Sequence, residues 1–411
     1  MATEQKKSIR NLLQDKNIRY VFVAYFVTFM GTAMAPIAMA FGVLELTGST
    51  KDSAIVIAAP VIASIAVLLL GGVIADRSSR QKVIISADSA ALLIQLAMAY
   101  LFLSEQATVP LLTGLMLLNG IAIAFNAPAA SGFIIQLVDK EDLQSINALL
   151  GTARNLALIL GAALGGVLVS VVGAGWTIFL DALSFGVSAL LVYLVKPKQQ
   201  IKSESESILL DLKLGWGEFI AHKWVWVIVV QFAFVVAANE AIIGLIGPAV
   251  ALDQLKGAED WGLVVSAIGV GTLIGGLIGF RLNVRYPMRF ATFCVLVPGL
   301  LPIALAFPLP LYGLMLIAVL EGIGWQLFGV LWMTTLQTKI KPHLLSRVCA
   351  YDYIGSVCLA PIGIILAGIF YESMGFRWVL LAAALVIILP TVFALFVKEV
   401  WFMQLDEPVI D

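Results

Sequence analysis

Apolar stretches of 18 or more residues recur along this 411-residue chain, separated by short charged turns. Each is long enough to cross a bilayer core of ~30 Å as a helix. The chain is 61% hydrophobic and only 12% charged, with a mean hydropathy of +1.01, so no room remains for a sizeable soluble domain. The three cysteines, Cys294, Cys349 and Cys358, all lie inside apolar runs and imply neither a disulfide framework nor a metal site. The polar start, Met1 to Arg19, shows no short apolar core with a small-residue cleavage site. The first apolar run is therefore expected to be a retained helix.

The pattern predicts an all-α membrane protein of twelve transmembrane helices in two pseudo-symmetric six-helix bundles. A cytoplasmic segment, 1–19, precedes an N-terminal bundle, 20–195. Its helices 1 to 6 are expected at about 20–46, 53–75, 83–103, 110–138, 145–172 and 176–195. A polar cytoplasmic linker, 196–223, alternates Lys with Glu204, Glu206, Asp211 and Glu218, and part of it is read as an interfacial helix. The C-terminal bundle, 224–397, holds helices 7 to 12 at about 224–247, 262–280, 290–307, 311–334, 347–371 and 377–397. A tail, 398–411, carries Trp401 and Phe402 as interface anchors, a role also expected for Trp224 and Trp226.

Alternating the loops from the N-terminus sends nearly every Lys and Arg to one side. Only Lys51, Lys256 and Arg377 fall on the other, and Arg154 lies within helix 5. This bias predicts that both termini are cytoplasmic. The two halves also repeat. At an offset of 202, Leu118-Asn119-Gly120-Ile121 overlays Leu320-Glu321-Gly322-Ile323, and Gly161, Gly166, Gly173 and Trp176 overlay Gly363, Gly368, Gly375 and Trp378. Glycine and tryptophan at one fixed offset are hard to obtain by chance in an apolar chain. Duplicated six-helix halves suit a transporter that rocks around a midplane site.

Between helices 2 and 3 stands Gly72-Val73-Ile74-Ala75-Asp76-Arg77-Ser78-Ser79-Arg80-Gln81-Lys82. This turn resembles the helix 2–3 loop of the major facilitator superfamily, G-x-L-A-D-R-x-G-R-R/K, with Ser79 and Gln81 as departures. The resemblance covers nearly the whole chain. It is nearest the branch holding enterobactin-type siderophore exporters and macrolide efflux proteins, through Leu46-Thr47-Gly48-Ser49, Pro128-Ala129, Ile146-Asn147-Ala148-Leu149 and Phe179-Leu180-Asp181-Ala182-Leu183-Ser184-Phe185. The helix 5 motif G-P-x-x-G-G appears as a packing motif, Gly161, Gly165 and Gly166, with Ala162 in place of proline. For Gly72, Asp76, Arg77 and Arg80, with Arg347 at the start of helix 11, the resemblance implies a cytoplasmic gate. The alternative is a solvated turn that only enforces topology.

Ionisable side chains within a bilayer are costly and face a cavity or a partner. Five carboxylates qualify, Asp88, Asp181, Glu240, Glu321 and Asp352, against one arginine, Arg154. Arg154 shares a helix face with Asn147, Gly151, Leu158, Gly161 and Gly165, expected to look into the protein. It lies nine residues beyond Ser145, roughly 14 Å deep. It is either a substrate or proton-relay partner or half of a structural ion pair with Asp88 or Asp181. Glu321, mid-helix and repeat-paired with Asn119, is the first candidate for proton carrier or cation contact, the alternative being a buried hydrogen bond. Glu240 is the second. Asn119, Asn126 and Trp325 join the expected cavity lining, with Trp332 a further candidate. Asp181 is expected nearer the outer end, orienting helix 6, while Asp88 and Asp352 are expected to be structural. Glycines 271, 275 and 279 form a small-residue stripe that suits packing within a monomer.

No G-x-x-x-x-G-K-S/T phosphate loop occurs, so ATP is not expected to drive the protein. Two isolated histidines suggest neither a metal site nor a triad, and no basic patch with interleaved aromatics points to nucleic acid. No enzyme activity and no cofactor are expected. The expected partners are a small-molecule substrate, protons and the lipid bilayer. With the resemblance, this predicts proton-coupled export of a small amphipathic compound, drug-like or siderophore, across a bacterial inner membrane. Uptake, movement of a lipid-like substrate, and a non-transporting sensor or assembly partner are the alternatives.

Overall fold

The structure, a computed structural model, describes residues 12–77, 79–138, 142–196, 208–307 and 309–404. Every regular element among them is helical. Among the described residues eleven helical runs are long and apolar enough to cross a membrane. One of these, Leu143–Leu194, has 52 residues and would measure ~78 Å if straight, far beyond one bilayer core. It breaks at Gly173, where φ 83° and ψ 170° form a backbone open to glycine and strained for other residues. Both arms lie at one level of helix 1, with Gly161 against the Met30 carbonyl and Ala33, and Asp181 and Ser184 against Gly31. Residues so far apart on either side of Gly173 share a level only if the chain doubles back. The arms are helices 5 and 6, which brings the spans to the expected twelve.

The other spans are helix 1 Lys16–Thr47, helix 2 Thr50–Arg77, helix 3 Arg80–Leu103, helix 4 Val109–Ile135, helix 7 Lys223–Gln254, helix 8 Ala258–Gly279, helix 9 Pro287–Leu305, helix 10 Leu311–Lys339, helix 11 Leu344–Met374 and helix 12 Phe376–Leu395. Several ends differ from expectation. Helix 7 passes the expected stop at 247 because a π turn, Ile242–Ile246, absorbs the hydrogen bond that Pro248 cannot make. Helix 9 narrows to a 3-10 turn at Val297–Gly299, around Pro298. Helix 11 breaks at Cys358 and Leu359, just ahead of Pro361. The linker contributes a helix, Ile208–Ala221, and the tail a short one, Lys398–Phe402.

The chain forms two compact units, one of 1–48 and 55–204 and another of 49–54 and 205–411. In the first unit helix 1 lies along helices 5 and 6, and helix 3 along helices 4 and 6. Val21, Val83, Phe133, Ile146 and Val192 close one end of this bundle, each from a different helix. In the second unit helix 8 pairs with helix 10, and helix 7 packs on helices 11 and 12. The linker helix rests on helix 11, with Trp216 and Phe219 against Tyr351. Within this second unit Glu372 accepts from Ser49 Oγ (2.6 Å) and the Lys51 amide (3.1 Å), a carboxylate at a helix start.

The repeat is visible in the packing. Gly120 of helix 4 lies against the Pro60 carbonyl of helix 2, and Gly322 of helix 10, at offset 202, lies against the Ile268 carbonyl of helix 8. Gly271 and Gly275 likewise meet the carbonyls of Val319 and Ile323, whereas Gly279 makes only loose contact with Val330 and Leu327. A side chain at Gly322 runs into backbone, which cannot swing aside as a side chain would. Gly322→Val is expected to destabilise the protein by ~1–3 kcal/mol or more, read as a lower unfolding temperature in detergent. Gly329→Ala, with nothing within 4 Å of the new Cβ, is expected to unfold as the parent does.

Candidate functional site

In the first unit the polar side chains of helices 3, 4 and 6 meet one another rather than a cation. Asp88, 1% exposed, accepts from Asn126 Nδ2 through Oδ1 and from Ser188 Oγ through Oδ2 (2.6 Å). Asp181, fully buried, accepts from Gln95 Nε2 through Oδ2 (2.7 Å) and lies 3.4 Å from Ser184 Oγ through Oδ1. Asp181 is level with Gly31, the middle of helix 1, so its expected place nearer the outer end is corrected.

The ion pair weighed for Arg154 with Asp88 or Asp181 is absent among the described residues. Arg154 is exposed, and its guanidinium lies over the Phe29 ring at 5.1 Å. The cause is the rotation of helix 5. Gly161 and Gly165 are turned onto helix 1 at Met30 and Met34, while Asn147 and Arg154, further along the same stripe, stay open. The face expected to look inward does so only at its glycine end, where Gly166 is buried too. Tyr25, packed on Phe29 at 5.5 Å, lies within electrostatic reach of both Asp88 and Arg154.

In the second unit Glu321 is 1% exposed. Its Oε1 lies 3.4 Å from Trp325 Nε1, and its Oε2 is buried with no partner among the described residues. Asn119, its repeat mate in the first unit, is 7% exposed with Oδ1 likewise unpartnered. A buried oxygen without a donor therefore recurs at one repeat position, beside the glycine of each helix crossing. Glu240 differs, being exposed and without a hydrogen-bonding partner among the described residues, just before the π turn.

The aromatics of helices 7 and 10 form a ladder. Trp325 meets Phe232 edge-on (5.7 Å), Phe232 stacks on Phe328 (4.3 Å), Phe328 on Trp332 (5.9 Å), and Trp332 meets Trp224 (5.4 Å). Trp224 and Trp332 are 5% and 6% exposed, which corrects both the interface role expected for the first and the cavity role considered for the second. Their hydrophobic faces are consumed by packing, and the Trp332 indole donates to Asp352 Oδ2 (2.9 Å). Trp325 stays half-buried.

Of the expected gate, Gly72, Asp76 and Arg77 lie in helix 2, but their side chains are outside the described residues. Arg80 donates through Nη1 to the Gly132 carbonyl (2.7 Å), tying the start of helix 3 to the end of helix 4. Arg347 packs its stem on Gly215 of the linker helix. Gln95, Ser184 and Ser188 were given no role from sequence. Their signal was spacing, with Asp88 and Gln95 two turns apart on helix 3 and Asp181, Ser184 and Ser188 on one stripe of helix 6.

Removing Arg154 strips no buried carboxylate of a counter-ion, so Arg154→Ala is expected to leave the unfolding temperature unchanged. Ser188→Ala leaves Asp88 Oδ2 without its donor and is expected to cost ~1–3 kcal/mol, seen as a lowered midpoint in the same measurement.

A family model described as Major Facilitator Superfamily matches residues 21–352. The multidrug efflux pump Tap of Mycobacterium tuberculosis (strain ATCC 25618 / H37Rv) is 25% identical over 393 residues, 92% of this chain and 93% of Tap. Macrolide efflux protein A of Streptococcus pyogenes is 23% identical, over 89% of this chain and 92% of its own. The enterobactin exporter EntS of Salmonella typhi is 23% identical, over 90% and 92%. Among solved structures, a bacterial homologue of the human lysosomal transporter Spinster, inward-facing and unoccupied, superposes with a TM-score of 0.74 at 13% identity, covering 94% of this chain and 97% of that one. The nucleoside transporter NupG gives 0.74 at 13%, covering 92% and 98%. Those likenesses speak to fold alone. Twelve apolar helices in two repeated units, and a family match over most of the chain, make this protein a multi-pass membrane member of the major facilitator superfamily.

Proposed function

We propose that this chain exports a small amphipathic compound across the bacterial inner membrane in exchange for protons, by alternating access, with both termini in the cytoplasm. The observation that carries the coupling is Glu321, a carboxylate buried mid-helix with one oxygen unpartnered and no cation beside it among the described residues. A charge so placed is costly in a bilayer, and a proton or the cationic part of a substrate relieves it. Glu321 is assigned as the exchange residue of the second unit, with Glu240 and Trp325 as further candidates there, while in the first unit its uncharged repeat mate Asn119, Asn126 and Asp181 are separate candidates. In the first unit the charged turn of Gly72, Asp76, Arg77 and Arg80 is assigned a gating role, and in the second unit Arg347 is assigned one. The export direction leans on relatives named for multidrug, macrolide and enterobactin efflux.

A second reading concerns substrate class. Arg154 is exposed, lies on an aromatic ring and holds no carboxylate among the described residues, so it offers a cation to an anionic substrate such as a catecholate siderophore.

The test is proton release from purified protein in weak buffer on adding macrolides, cationic dyes or catecholate siderophores. The reading expects release with at least one class, reduced by Glu321→Gln. Silence with all three would remove proton coupling. Release with siderophores that depends on Arg154 would select the anionic reading. A cellular phenotype that survives Glu321→Gln and Arg154→Ala together would mark a sensor rather than a pump.

A further inference from the structure

Helices 3 and 6 run antiparallel in the first unit and carry two buried carboxylates that are solvated differently. Asp88 has a neutral donor on each oxygen, Asn126 on one and Ser188 on the other, and is complete as an anion. Asp181 lies two helical turns away, ~10 Å along the axis, and faces Gln95. Gln95 is 3% exposed, donates Nε2 to Asp181, and leaves its own carbonyl Oε1 buried with no donor among the described residues. On helix 1, Thr28 Oγ1 is also buried with no partner among the described residues, one turn before Gly31, where a Cβ would run into Asp181 Oδ1 and Ser184 Oγ.

Within the Asp181–Gln95 pair the shortfall is of donors, and the Thr28 hydroxyl, which could supply one, is hydrogen-bonded to neither among the described residues. An ionised carboxylate only accepts, and an amide carbonyl only accepts, so the Asp181–Gln95 site is one donor short. Orphaned buried acceptors are expensive. A protonated carboxyl carries one donor beside one acceptor, as does the amide it faces, and the two then satisfy each other. We propose that Asp181 and Gln95 form a proton-binding site between helices 1, 3 and 6, in which Asp181 is held as the neutral acid while Asp88 stays ionised.

No titratable group opposes this at Asp181. Helix 1 presents Gly31 and Thr28, helix 3 presents Gln95, and its own helix presents Ser184. Of the other charged or titratable groups on these helices and on helix 5, Lys16, Arg19, Tyr20, Glu45, Arg80, Lys82, Tyr100 and Tyr193 lie toward helix ends, and three lie deeper. Asp88 is occupied by Asn126 and Ser188, Tyr25 lies beside Asp88, and Arg154 stays over Phe29. Asp181 is fully buried, so losing the proton requires helix 1 to part from helices 3 and 6 and admit water. Protonation is thereby linked to the arrangement of three helices. This deepens the proposed coupling and rests on it only for the use to which the proton is put.

The test is infrared spectroscopy of the purified protein across pH, without substrate or gradient, following the carbonyl stretch of protonated carboxylic acids. At neutral pH the parent should show a component that Asp181→Asn removes and Asp88→Asn keeps. The exchanged pair Gln95→Glu with Asp181→Asn should restore it, since acid and amide merely trade helices. Spectra of a folded Asp181→Asn that superimpose on the parent at every pH would overturn the proposal. So would loss of the component in Asp88→Asn instead, or a component that follows sodium rather than pH. Because no transport is measured, a failure of proton-driven export and a failure of this site are separate results.

Discussion

Within hydrocarbon a helix gains little by hiding apolar side chains from its surroundings, so close approach of backbones decides which helices meet. Glycine permits that approach, and the structure uses it at repeated places. Gly120 against Pro60 and Gly322 against Ile268 hold equivalent crossings in the two units, and Gly161 and Gly165 seat helix 5 on helix 1. These contacts fix helix rotation. Rotation in turn decides which polar side chains meet and which are left open.

The polar interior follows from those rotations. Helix 5 spends its small-residue stripe on helix 1, which leaves Arg154 open and away from the carboxylates. The carboxylates of helices 3 and 6 are then met by amides and hydroxyls from the facing helices, and the two acids end in different states of satisfaction. In the second unit Glu321, beside the crossing at Gly322, is buried, with Trp325 against one oxygen and no donor for the other among the described residues. Buried polar groups at these positions are costly in a membrane protein, and that cost is what singles them out as candidates.

Much of this was legible in the residues. Helix number came from the length of the apolar runs, the repeat from glycine and tryptophan at a fixed offset, and the close packing of Gly271 and Gly275 from helix spacing, whereas Gly120 and Gly322 were read only as repeat partners. Helix 7 was read to end at about 247, short of its end at Gln254, because a π turn carries the helix past Pro248. Trp224 was misplaced because an aromatic near a helix end fits an interface anchor and a core contact equally well until its neighbours are known. Of the two readings of Arg154 the ion pair falls away, because charge balance suggests a pairing but carries no angle.

The sequence by itself determined that this chain spans a bilayer as two related sets of helices, since length and hydropathy along a chain are one-dimensional properties that the membrane reads directly. It also named the carboxylates that have to be accommodated. Only the tertiary structure decided which of them are complete and which lack a donor. That depends on the rotation of each helix about its axis against its neighbours, a quantity set by packing between residues far apart in the chain.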